Sequence, residues 1–191
     1  MAAAQSGADA IGVVLYEPSP RAIPASAISE ILADVGSQVR KVALFVDPQP
    51  KLVEDCLASG LIDLLQFHGS EDEAFCSGFG VPYMKAVRVQ SIEQARLEIA
   101  SHSAAEMILL DKYQKDVPGG TGKTFDWEMA AALVAAVDKP IVLAGGLNAD
   151  NVSAAIAQVK PFGVDVSSGV EASHGIKDAE KLKKFMRAVK G

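Results

Sequence analysis

Apolar runs of four to six residues recur along the chain. Each is followed by a stretch whose apolar positions return every three or four residues. The runs lie at residues 10–15, 41–46, 63–67, 83–88, 107–110, 140–144 and 163–166. They are apolar along most of their length rather than alternating, which marks strands of a parallel sheet covered on both faces. The intervening periodicity predicts helices at about 25–33, 51–59, 71–78, 92–100, 127–137, 151–159 and 179–189. Residues 2–5 read as the tail of a further helix, stopped by Ser6 and Gly7. The boundaries carry their own chemistry. Asp126, and Asp150 or Asn151, are placed to cap helices, Pro24 and Pro50 fall in first turns, and Gly60 follows a helix end. No linker or second composition regime interrupts the pattern, so residues 1–191 read as one domain.

Repeated βα units imply an α/β architecture with right-handed crossovers. An open doubly wound sheet and a closed (βα)8 TIM barrel both fit the alternation. Two features favour the barrel. No GxGxxG follows the first strand, and the glycine clusters come late, in LAGGLN (143–148) and VSSGVE (166–171), where such barrels bind phosphate. Seven βα units are countable rather than eight. The expectation is a TIM barrel that lacks its N-terminal first strand.

Composition narrows the function. Hydrophobic residues make up 49% of the chain and aromatics only 6%, so Ala, Val, Ile and Leu must fill the core. The net charge is −6 and there is no long basic run, which argues against a nucleic-acid or anionic-membrane partner. No apolar run reaches the ~18 residues of a membrane helix and no signal peptide precedes the first strand, so a cytoplasmic protein is expected. Cys56 and Cys76 show no CxxC spacing and fall in predicted helices, which favours buried reduced thiols.

In a barrel, the residues just past each strand face the active site. Asp111 ends the run MILLD and opens a long glycine-rich loop. A carboxyl leaving an apolar strand is a candidate general acid, because desolvation favours its protonated form. The plain alternative is a solvated strand-end aspartate. Arg21, in the proline-fixed EPSPR, could fork onto a substrate carboxylate or make a surface ion pair. Gln66 and His68 share one face and either line the site or play a structural part. Asp47, before Pro48, reads as a turn or cap residue. Asp165 stands at the last strand end. GGTGKT (119–124) is not a P-loop, since Val117 occupies the place of its first glycine. Gly122 there, with Gly145, Gly146, Ser168 and Gly169, could instead offer N–H groups to a phosphate; tight-turn duty is the alternative.

The segments GADAIGVVLYEPSPR, LLQFHG, LLDKYQKDVPGGTGKTFDW, LAGGLNADNV and GVDVSSGVEASHGIKD together closely resemble the phosphoribosylanthranilate isomerase family of tryptophan biosynthesis, over essentially the whole chain. The resemblance implies an Amadori rearrangement of N-(5′-phosphoribosyl)anthranilate to 1-(2-carboxyphenylamino)-1-deoxyribulose 5-phosphate. It implies no metal or cofactor, a small phosphorylated substrate, and a monomer or homodimer. It also implies Asp111 as the acid that opens the furanose ring and Arg21 on the anthranilate carboxylate. The glycine turns would hold phosphate, and Asp165 with Gln66 and His68 would line the site. The family's general base is a cysteine ending the first strand in a Lys-Ile-Cys-Gly-type motif. No such motif occurs here, so the base is expected to be missing from this chain. Two alternatives are a non-catalytic phosphosugar-binding barrel and another phosphate-binding barrel enzyme. An epimerase would want metal-ligand histidines, and only His68 is placed for that. Indoleglycerol-phosphate synthase would want catalytic lysines, and only Lys85 lies in a strand.

Overall fold

The computed structural model describes residues 2–112 and 127–191. Seven strands carry the fold: β1 (Ala10–Val14), β2 (Arg40–Phe45), β3 (Leu64–Phe67), β4 (Tyr83–Val89), β5 (Met107–Lys112), β6 (Ile141–Leu143) and β7 (Gly163–Val164). All are parallel and lie in the order of the chain, each beside the next. A doubly wound sheet must reverse its strand order at a switch point. Sequential order without reversal is that of a TIM barrel, and the architecture is TIM-barrel-like. Among the described residues β1 and β7 do not pair. The outer edge of β1 is met by one bridge, Val14 to Ala22.

The helices follow the predicted positions: α1 (Ala2–Gln5), α2 (Ile28–Leu32), α3 (Pro50–Leu57), α4 (Glu73–Ser77), α5 (Ile92–Ala100), α6 (Trp127–Ala136), α7 (Val152–Val159) and α8 (Ala179–Lys190). The single helix expected at 25–33 is divided into a 3-10 turn, Ala25–Ala27, and the short α2. Pro50 opens α3, where its missing N–H costs nothing. Caps form at Asp72, Ser91 and Asp178, whose side chains accept from N–H groups of the first turn. The cap was expected of Asp150 or Asn151; Asn151 takes the N-cap position and makes no side-chain cap. Its backbone is already helical, and its carboxamide accepts from Asn148 N and donates to Gly146 O, tying the preceding loop instead. Asp126 lies outside the described residues. An antiparallel hairpin of β8 (Glu171–Ser173) and β9 (Ile176–Lys177), unexpected from the sequence, precedes α8.

Two apolar layers result. The larger joins helices to the outer sheet face and includes Phe45, Leu65, Phe67, Val87, Ile108 and Leu110 with Val53, Ile99, Leu133 and Phe185. The smaller is built from strand residues and Ala144 alone: Val42, Leu64, Met84, Ala86 and Leu109. Since no helix contributes to it, it is the inner layer of the barrel. Each strand therefore shows one parity outward and the other inward.

Candidate functional site

Inward parity decides which side chains reach the site. Gln66 follows Leu64, Arg88 follows Ala86 and Asp111 follows Leu109 by two, so each continues the inner face toward its strand's C-terminal end. Gln66 is buried, and its Nε2 lies 3.5 Å from His68 Nδ1. With the amide donating to Nδ1, the ring proton resides on Nε2. That nitrogen lies 3.1 Å from Asp111 Oδ2. Asp111 Oδ1 accepts from the N–H of Lys112 at 2.8 Å. A pair from β3 and an acid from β5 thus form one hydrogen-bonded chain.

Asp165 joins this group electrostatically. Its carboxyl is raised above the ordinary aspartate range, first by desolvation and next by the charge of Asp111; Lys177 and His68 oppose the shift. Asp165 therefore holds its proton more readily than an ordinary aspartate. The residue is exposed to solvent.

The late glycines are demanded by the backbone. Gly145 and Gly146 have φ of +87° and +75°, conformations costly to any residue with a Cβ. A Cβ on Gly145 would lie 2.9 Å from Lys112 N and 3.0 Å from Asp111 Oδ1, so this glycine lets the turn close over the acid. A Cβ on Gly169 would lie 2.0 Å from Leu147 O. The loops after β6 and β7 are therefore packed backbone to backbone, with Ser168 and Gly169 in a short 3-10 turn. Gly122, the remaining glycine assigned to phosphate, lies outside the described residues.

Arg21 is engaged by a carboxylate of the protein itself. Its Nε and Nη2 donate to the two oxygens of Glu171, each at 2.6 Å. The ion pair foreseen as the alternative is formed, and Glu171 is buried rather than at the surface. That hydrogen bond, more than anything else, brings the Glu171 carboxyl down to about 2.

Two other expectations meet the structure here. Lys85, considered as a catalytic lysine, is on the outward parity of β4 and is 1% exposed. It donates to Gly69 O at 2.5 Å and Glu71 Oε2 at 3.1 Å, beneath the loop that follows His68. Glu71 also accepts from the N–H groups of Asp47 and Gly69, while Asp47 accepts from Ser70 N. Asp47 is thus a turn residue, with φ of +46°, in a clamp that fixes the loop carrying His68. Cys56 and Cys76 are free, buried in α3 and α4, and pushed up to about 11 and about 12 by burial. Neither thiol lies at a strand end. Among the described residues no group of three His, Cys, Asp or Glu is placed to hold a metal ion, and no helix is long and apolar enough to cross a membrane.

Known proteins resemble this chain over its whole length. The family model described as N-(5'phosphoribosyl)anthranilate (PRA) isomerase matches residues 1–188. An N-(5'-phosphoribosyl)anthranilate isomerase of Pseudomonas putida is 48% identical over 190 residues, spanning 100% of this chain and 91% of the relative. The crystal structure of phosphoribosyl anthranilate isomerase from Thermotoga maritima superposes with a TM-score of 0.90 at 36% identity, covering 100% of this chain and 92% of that one. Another phosphoribosyl anthranilate isomerase, solved in complex with reduced 1-(o-carboxyphenylamino)-1-deoxyribulose 5-phosphate, gives 0.85 at 33% identity, covering 100% and 91%. A likeness covering the whole chain at these identities leaves one conclusion: the chain belongs to the N-(5′-phosphoribosyl)anthranilate isomerase family.

Proposed function

We propose that this chain performs the isomerisation for which its relatives are named, converting N-(5′-phosphoribosyl)anthranilate to 1-(2-carboxyphenylamino)-1-deoxyribulose 5-phosphate. The observation that supports it most is the group at the strand ends: Asp111 held by His68 Nε2 at 3.1 Å, beneath the turn at Gly145. In this reading Asp111 donates a proton to the furanose ring oxygen as the C1′–O bond breaks. The His68 hydrogen bond keeps the carboxyl aimed, and Gln66 fixes the imidazole. Asp165 lines the same site from the end of β7, close enough to feel the charge of Asp111. The amides of Gly145, Gly146, Ser168 and Gly169, with Gly122, receive the phosphate. Arg21 meets the anthranilate carboxylate. Ring opening leaves an iminium at C1′, and loss of the C2′ proton then gives the enolamine that rearranges to the ketose.

That second proton needs an acceptor. The reading leaves this part to a thiolate other than the two buried cysteines, on a further strand placed between β7 and β1, which do not pair with each other among the described residues. The test is product formation by the chain alone and by the chain extended at its N-terminus with a strand ending in Lys-Ile-Cys-Gly. Turnover in the extended form is expected. Tight binding of the reduced product analogue without turnover in either form would favour a phosphosugar-binding role and contradict the proposal.

A further inference from the structure

Glu171 has no part in the reaction as described, yet it is among the few buried charged groups and the most heavily tied near the site. Its side chain is 4% exposed and both oxygens are taken by Arg21. Lys177, its partner in the hairpin register, places Nζ 3.2 Å from Glu171 Oε1 and 2.9 Å from Ser167 O. Lys181 Nζ donates to the Glu171 carbonyl at 2.7 Å. The hairpin turn also lies on the loop that carries Arg21: a Cβ on Gly175 would be 3.3 Å from Pro20 O and 3.9 Å from Arg21 Cα. One short hairpin therefore touches both the arginine and the residue preceding the Ser168-Gly169 turn.

A guanidinium has two forked edges. Glu171 occupies the Nε–Nη2 edge, and Nη1 has no hydrogen-bond partner among the described residues. We propose that Glu171 is a positioning residue for recognition of the substrate's carboxylate. It locks the plane of the Arg21 guanidinium from one edge so that the Nη1–Nη2 edge is presented to an aromatic carboxylate. With Lys177 it also fixes the separation between that edge and the phosphate loop. Specificity for a ligand anionic at both ends follows from one rigid brace. The inference rests on the reading of Arg21 given above. Two cations surround the one carboxylate, so the cluster keeps a net positive charge and still attracts an anion. Glu171 is unsuited to the opposite part, a decoy that leaves when substrate arrives, because its burial would strand an unpaired charge.

The test is calorimetric titration of the full chain with two ligands: reduced 1-(o-carboxyphenylamino)-1-deoxyribulose 5-phosphate and its counterpart lacking the ring carboxyl. Wild type is expected to prefer the first by about tenfold or more, the effect of one charge-assisted fork. Glu171→Gln keeps the shape but weakens the brace. It should reduce that preference about fivefold or more while binding the carboxyl-free ligand within about twofold of wild type; a merely structural role would weaken both ligands alike. Lys177→Met, on the exposed side of the hairpin, should shift the preference in the same direction by less. No preference in wild type overturns the reading of Arg21 and this proposal with it. A wild-type preference retained in Glu171→Gln, or tighter binding by it, overturns this proposal alone. Should Glu171→Gln fail to fold, an unchanged preference in Lys177→Met does so.

Discussion

Replacing Gly169 with alanine is a severe test of the idea that the two late loops form one anion cradle. The added Cβ would stand 2.0 Å from Leu147 O, 3.0 Å from Leu147 C and 3.1 Å from Asn148 Cβ. Two of these are backbone atoms, so no flexible side chain can swing away to relieve the contact. One loop must retreat by more than about 1 Å to restore ordinary separations of about 3.5 Å. Overpacking of this kind costs about 1–3 kcal/mol, and a forced backbone movement belongs at the upper end. At about 2–4 °C per kcal/mol for a domain of this length, G169A should melt about 6–12 °C below wild type. Gly36 provides the control, since a Cβ there has nothing within 4 Å and its φ is not positive. G36A should stay within about 0.5 kcal/mol of wild type, with any gain coming through the unfolded chain. Thermal melts with and without ribose 5-phosphate read both effects. Wild type and G36A should be stabilised by the ligand, and G169A should not. If G169A melts with G36A and retains the ligand-induced rise, the packing argument and the cradle both fail.

Three further outcomes follow. K85M should destabilise by about 3–5 kcal/mol in urea unfolding, because it leaves the Glu71 carboxylate buried beside one donor fewer; K85M/E71Q should recover part of the loss by removing that charge. The Glu171 carboxyl, held near 2 in the fold against an ordinary glutamate value of 4.5, contributes roughly 3 kcal/mol at neutral pH. Its folded pKa is depressed, so this stability is present above about 4.5 and lost as pH falls toward about 2. The gap in unfolding free energy between wild type and E171Q should close over that window. Cys56 and Cys76, raised by burial to about 11 and about 12, should ignore a disulfide reagent at pH 8 in the native protein and both react in denaturant.

The parts of the molecule readable in advance share a physical cause. Strands buried on both faces leave apolar runs, so residues 42–45 of β2 and 107–110 of β5 stood out in the sequence. The same continuity hides parity. Nothing in the run around Lys85 tells which face its side chain takes, and the outward answer appears only when Met84 and Ala86 are seen in the inner layer. Positive-φ turns demand glycine, so the loop after β6 was legible, though what the turn is for was not. Glu171 gave no signal. Its partner Arg21 is 150 positions away, and its hairpin is too short and polar to show a strand period. Asn151 misled because its carboxamide serves the loop before it rather than the helix after it. Asp111 and the pair Gln66 and His68 were readable because all end apolar strands, while their hydrogen-bonded convergence required the fold.

The central claim is that Asp111 delivers the ring-opening proton, and turnover by D111N tests it most directly. Asparagine has the same size and can still accept from Lys112 N, but it has no acidic proton to give. In the form of the chain that turns over, D111N should lose about 10²–10⁴-fold in kcat while binding the reduced product analogue within a few-fold of wild type. A D111N protein that isomerises N-(5′-phosphoribosyl)anthranilate at close to the wild-type rate would contradict the account.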